Sequence, residues 1–213
     1  MGRSGPSGAP HCRGMAEVSQ VDFARAVRGS LPSALDGEIE PIIGGISSIA
    51  RCAVRDVHRK SPQAAMAYFN GRTAKWALLG GSAASAVRTY HDSLAQYIAW
   101  DGGSGSADLD IGLRAGAIVY APGDGVRAFA HVVRDLGSAG REVRVLFWDE
   151  LPLDRPSAEM IALPVLDRID GMFGVGATAQ IDVWQLARPH RFTVLPATAR
   201  THTTAVQQLL STL

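Results

Sequence analysis

The sequence predicts an α/β protein: an N-terminal helical domain followed by a small Rossmann-like, mostly parallel sheet flanked by helices. Three observations predict it. Apolar residues recur at helical spacing through residues 17–100. The stretch DGGSGSADLD, residues 101–110, combines Gly and Ser for flexibility with Asp for solvation and reads as a linker. Beyond it, short apolar runs alternate with an amphipathic stretch, the grammar of a doubly wound domain. The expected organisation is therefore a disordered tail (1–14), a helical domain (15–100), a linker (101–110) and an α/β domain (111–213).

Each element has its own justification. Residues 1–14 hold Gly, Pro, Ser and Arg with almost nothing to bury, so a tail is expected there, with Met15 an alternative start. Val21, Phe23, Ala24, Val27 and Leu31 form one short amphipathic segment, stopped near Pro32. Ile39 to His58 repeats apolar residues one helical turn apart. A third helix is expected from Pro62 to Phe69, with Pro in its first turn and Gly71 as a stop. A fourth runs from Thr73 to Trp100, weakened or kinked at Gly80-Gly81. After the linker, Ala117 to Tyr120 reads as a strand closed by the turn APGDG. Val126, Phe129, Ala130, Val133 and Leu136 step along one helix face, and Val143, Val145 and Phe147 alternate as a second strand. That spacing predicts a parallel βαβ unit over Ala117–Trp148. A further helix over 157–168, apolar runs at 181–186 and 192–195, and a closing helix over 201–213 complete the pattern.

Composition excludes several classes. Lys plus Arg number 21 against 20 Asp plus Glu, a formal charge of +1, which argues against a phosphate-backbone binder, so no direct nucleic-acid partner is expected. No apolar run reaches the roughly 18 residues of a membrane span, and no apolar stretch follows the early arginines as a secretory signal would need. No membrane partner and a cytoplasmic location are therefore expected. Two cysteines, Cys12 and Cys52, provide neither a disulfide framework nor a cysteine-based zinc site. The six histidines show no metal-ligand spacing, so no metal and no cofactor are expected. Lysine occurs only at Lys60 and Lys75, a bias that a GC-rich coding sequence explains without any function.

In an open parallel sheet, ligands sit beyond the carboxyl ends of strands. Two such ends are legible. At Gly123-Asp124-Gly125 the glycines let backbone N–H groups approach an anion at a helix start, while Asp124 reads equally as an ordinary N-cap whose charge would repel one. At Asp149-Glu150 two acids follow a strand, suited to ribose hydroxyls, Mg²⁺ or general-base work, or simply solvated. Arg72-Thr73, after a glycine and before a helix, is a candidate anion site or an ordinary helix start with a solvated arginine. No nucleophile elbow, dinucleotide fingerprint or Walker motif is present.

Taken in order, several short segments resemble the family of the regulatory subunits of eukaryotic translation initiation factor 2B and the methylthioribose-1-phosphate isomerases. Ile42 to Ala50 is similar to the family's early Arg-Gly-Ala helix start, with Gly44 in place of Arg. Gly71-Arg72-Thr73-Ala74 is similar to its Arg-Pro-Thr segment without the proline, and Asp149 to Leu153 to its Glu-Ser/Thr-Arg/Gln-Pro segment. Gly174-Val175-Gly176-Ala177-Thr178 is similar to its Val-Gly-Ala-Asp/Glu stretch, and Phe192 to Leu195 to its late Phe-Tyr-Val strand. Ala117 to Gly125 takes the place of the strand and loop that carry the isomerases' catalytic cysteine. The resemblance covers most of residues 40–196, but Pro122 stands at the cysteine position and Thr178 at the acid position, and a strand–helix unit is missing before the VGAT segment. It implies a shortened, non-catalytic member that binds a phosphorylated small ligand, a sugar phosphate or nucleotide, or assembles with partner subunits as a homo- or hetero-oligomer, or does both. The ligand would meet Arg72, Thr73, Gly123, Asp124, Gly125, Asp149, Glu150, Gly176 and Thr178. Two alternatives stand beside it: a sugar-phosphate-isomerase type of enzyme using Asp124, Asp149 or Glu150 as acid or base, and a purely structural or interaction protein.

Overall fold

Residues 16–29, 40–101, 109–121 and 124–213 are described by a computed structural model. The proposed tail (1–14), the centre of the proposed linker (102–108) and Gly123 lie outside them. Strand β1 (Ala16–Ser19) leads directly into helix α1 (Gln20–Val27), whose N-cap is Ser19, its Oγ accepting the Asp22 N–H at 3.1 Å. Three helices follow: α2 (Glu40–Arg59), α3 (Pro62–Ala77) and α4 (Gly81–Asp101). Ser61 caps α3 and Pro62 occupies its first turn. Helix α3 runs through Gly71 instead of stopping there, and the break falls at Leu78-Leu79-Gly80. Then come β2 (Leu109–Ala121), β3 (Asp124–Asp135), β4 (Arg141–Phe147), α5 (Arg155–Phe173), β5 (Thr178–Gln185), β6 (His190–Val194), α6 (Pro196–Arg200) and α7 (Thr203–Leu210). The expected linker is thus trimmed at both ends: Asp101 closes α4 and Leu109-Asp110 opens β2.

The α/β class and the order of helices before sheet hold. The mostly parallel sheet and its βαβ unit do not. Residues 124–135, expected as a crossover helix, form β3, which pairs antiparallel with both β2 and β4. Only residues 122–123 separate β2 from β3, enough for a hairpin and far too few for a parallel crossover. The helical spacing misleads because β3 is buried on both faces: Val126, Ala128 and Ala130 enter one core and Val132 the other. The six-stranded sheet is mixed, with β4–β5 and β1–β3 parallel and β2–β3, β3–β4 and β5–β6 antiparallel.

Strand β2 pairs along β3 from Asp124 to Arg134, so β1, against 124–127, and β4, against 132–135, share the opposite edge. Between them the β3 edge needs a partner for Phe129, and the side chain of Gln20 at the start of α1 accepts that N–H.

Helices cover both faces. Side chains alternate along β4, and Val143, Val145 and Phe147 join Ile181 and Val183 of β5 against α1, α5, α6 and α7, through Phe23, Ile161, Leu166, Ile169 and Val206. Leu146 and Trp148 join Trp184 and Leu186 against α2, α3 and α4, through Ile46, Ala50, Val54, Phe69, Leu94 and Tyr97. The helical layer and the sheet therefore share one core. Among the described residues, no helix is long and apolar enough to cross a membrane.

That second face also buries charge. Arg144, central in β4, donates from Nε to Glu142 at 2.6 Å and from its guanidinium to Asp101 at the end of α4, and stacks on Trp184 at 4.6 Å. Arg134 of β3 reaches the same Asp101 oxygen at 3.4 Å and Glu142 at 3.6 Å. Burial works against the Arg144 charge, but the carboxylates of Asp101 and Glu142 outweigh it and raise its pKa. Burial also raises the Tyr97 pKa, so its hydroxyl stays protonated, and it is hydrogen-bonded with His58 Nε2 at 2.5 Å. His58 Nδ1 lies 3.8 Å from the other Asp101 oxygen, and burial, opposed by that carboxylate, lowers its pKa. A charge removed from such a set strands its partners in a region of low polarity. Replacing Arg144 with Met is expected to cost about 3–5 kcal/mol in denaturant melts, and adding Asp101→Asn should recover part of it. A loss below about 1 kcal/mol would mean that the network does not hold the two layers together.

Candidate functional site

Polar and aromatic groups gather at the carboxyl end of β4, where the chain reads Trp148-Asp149-Glu150. From here the chain turns toward α5 on one face of the sheet, while α2 and α4 lie over the other, the setting in which α/β sheets hold ligands. Asp149 is occupied internally. Both its oxygens accept from the buried Arg28 guanidinium, at 2.7 and 3.0 Å, and one also accepts the Leu151 N–H at 3.1 Å. Arg28 in turn stacks on Phe147 at 4.9 Å, and Gln185 at the end of β5 donates to the carbonyls of Asp149 and Leu151. The carboxylate ties α1 to the sheet and is no free acid or base. Glu150 is exposed.

The other expected site residues separate. Asp124 and Gly125 open β3, antiparallel to β4, so their backbone is at the same end of the sheet as Asp149. No helix follows Asp124, which removes the N-cap and helix-dipole readings together. Gly123 lies outside the described residues. Arg72 is exposed on α3 and makes no hydrogen bond or ion pair among the described residues. Thr73 is buried, its hydroxyl donating to the Phe69 carbonyl at 2.8 Å. Because α3 runs through Gly71, both residues sit inside a helix whose amides are already paired, not at an anion-binding start. Gly176 forms the turn before β5 with φ of 85°, and the Thr178 hydroxyl donates to Asp170 at 3.4 Å. Thr178 aligns with Arg141 at the start of β4 and Gln185 with Phe147 at its end. Six residue steps, about 20 Å, therefore separate Thr178 from the Asp149 end. The predicted nine-residue site does not assemble.

What surrounds Asp149 comes instead from α2, α4 and β3. Tyr90 of α4 stacks on Trp148 with ring centroids 5.5 Å apart and planes 13° from parallel. Burial raises the Tyr90 pKa, and the nearby Ser47 side chain of α2 opposes that shift. The Trp148 indole N–H is buried and has no acceptor among the described residues. One turn beyond Ser47 on the same face of α2, the Arg51 guanidinium lies 5.6 Å from the Phe129 ring. Arg51 is exposed, makes no ion pair among the described residues, and acts electrostatically on Tyr90 and His131. Phe129 meets His131 edge to face at 4.6 Å. His131 Nδ1 accepts the Leu146 N–H at 3.0 Å, which places its proton on the other nitrogen. Arg25 of α1, only 3.9 Å from Asp22, adds a second cation within electrostatic range of Tyr90.

The arrangement can stack a planar group and neutralise an anion. Sequence reasoning missed Ser47, Arg51, Tyr90, Phe129 and His131, because three separate elements bring them together. The one local signal was Ser47 and Arg51 spaced i, i+4 on a helix face. No protein-family model matches the chain, and no curated protein matches it.

Burial, with Arg51 as a second cause, pushes the His131 pKa down from 6.5 to about 3. The unfolded chain protonates this histidine near 6.5, so it binds more protons than the folded one below that pH. Stability is complete above 6.5 and falls as the pH drops through 6.5 toward 3, by about 2 kcal/mol at pH 5. His131→Asn should flatten this part of the stability profile. An unchanged slope would show that His131 does not set it.

Proposed function

We propose that the protein is a non-catalytic binding module that takes a phosphorylated small molecule, a sugar phosphate or nucleotide, at the carboxyl end of β4. The observation carrying this reading is Arg51: an exposed guanidinium, without an ion pair among the described residues, beside the stacked Tyr90 and Trp148. A phosphate would replace the missing carboxylate partner, with Arg25 in range, and a ring would extend the aromatic stack. The ligand class is the one that the initiation-factor-2B resemblance implies, and a cytoplasmic location belongs to the same proposal. The acid–base alternative is weaker because Asp149 is paired with Arg28, which leaves Glu150 as the exposed acid of that strand end.

Thermal shift against inorganic phosphate, sugar phosphates and nucleotides tests the proposal. At least one should stabilise the protein, and Arg51→Ala should weaken that ligand by roughly 1.5–3 kcal/mol, the scale of a charged hydrogen bond. No stabilisation by any of them would sink it.

A second reading, assembly through an apolar face, is favoured by the opposite end of the sheet. There the β3–β4 turn and the α5–β5 turn lie together, joined by the Arg141 N–H to the Ala177 carbonyl at 2.8 Å. They expose Leu136, Met172, Phe173 and Val175, the last 89% exposed, with Arg141 stacked on Phe173 at 4.0 Å. Light scattering should show an oligomer that Val175→Asp dissociates. A clean monomer at high concentration would exclude it.

A further inference from the structure

The turn between α3 and α4 carries a feature that the β4 site does not use. Leu78 and Leu79 are 88% and 67% exposed at its apex. Gly80 and Gly81, at φ of 72° and 56°, take left-handed conformations that let the chain reverse within a few residues. The result is a convex tip with two adjacent bare leucines.

Its flanks are cationic. Arg72 and Lys75 precede the apex on the last turns of α3, and Arg88 follows two turns into α4; all three are exposed. Between Asp56 and Asp92 the chain holds five Lys and Arg residues and no acid. Lys75 Nζ lies 4.6 Å from the ring of Trp76, which rests against Gly45 of α2, where even a methyl group would come within 2.8 Å of it. An indole thus sits at the base of the tip, below the leucines and level with the charges.

We propose that this hairpin tip docks on an anionic lipid surface, with Leu78 and Leu79 entering the acyl boundary and Arg72, Lys75 and Arg88 meeting the headgroups. The order of groups along the tip is that of an interfacial anchor: an apolar apex flanked by cationic shoulders. Charge decides between occupants. A second copy in a two-fold contact would bring these cations against their own equivalents, with no acid on the tip to offset them. The contact is with a surface, in keeping with the absence of a membrane-crossing helix among the described residues.

Co-sedimentation of the full chain with vesicles tests this. Binding is expected to mixed phosphatidylcholine–phosphatidylserine vesicles, to weaken as salt rises, and to be lost on vesicles of phosphatidylcholine alone. Leu78→Ser with Leu79→Ser should abolish it while leaving the melting temperature unchanged, since neither side chain is packed. Replacing Arg72, Lys75 and Arg88 by Ala should weaken it about fivefold per charge. The proposal is overturned by no binding to the mixed vesicles, by equal binding of the double-serine variant, or by a solution dimer that this variant dissociates.

Discussion

Arg144 is the constraint around which the two faces of the sheet are arranged. A guanidinium at the centre of a strand, under a layer of helices, must have its charge balanced within reach. Glu142 supplies one carboxylate from the same strand and face. The other must come from across the interface, and Asp101 supplies it from the last residue of α4. This fixes where α4 ends over the sheet, and with it Tyr97 one turn earlier, whose hydroxyl meets His58 of α2. Apolar packing between the layers could tolerate a shift of one helix along another; an ion pair with hydrogen-bonding geometry cannot. The stacking of Arg144 on Trp184 covers the remaining face of the cation, so the lock is both ionic and dry.

The same logic of internal pairing explains what happened to the strand end. Asp149 reads in the sequence as one of two acids that follow a strand. Its partner, Arg28, lies more than a hundred residues earlier, at the end of a helix whose own amphipathic pattern gave no hint of that reach. With Asp149 neutral as a pair, Arg51 and Glu150 are exposed charges left near this strand end, and its aromatic character comes from a tyrosine and a tryptophan on different elements.

Much of the fold was legible, and the failures share a cause. Helices α2 and α4 were readable because each buries one face, so apolar residues recur with the helical period. The strand around Val143, Val145 and Phe147 was readable by alternation, even though its other face carries Arg144 beside Leu146. Strand β3 was not, because Val126, Ala128, Ala130, Val132 and Val133 are covered on both sides and no single period survives. Strand β1 is too short to show one at all. Gly71 reads as a stop in the sequence, yet α3 runs through it, because an exposed helix surface tolerates a glycine at the cost of about 1 kcal/mol. The candidate site was legible only at Asp149 and Glu150 and in the backbone of Asp124 and Gly125; Arg72, Thr73, Gly176 and Thr178 belonged to other parts of the fold.

The shared edge of β3 bears on the order in which the molecule can form. Strand β1 leaves the ribosome before β3, but Ala16 pairs with Asp124, so it has no partner until about a hundred further residues have followed it. The β2–β3–β4 meander closes through short loops and can form on its own, whereas seating β1 requires a loop of about a hundred residues to close. Gln20 and Arg28 then fasten α1 to a sheet that already exists. The seating of β1 and α1 is thus the long-range closure of this sheet, held by Phe23 in the core and by the Arg28–Asp149 pair.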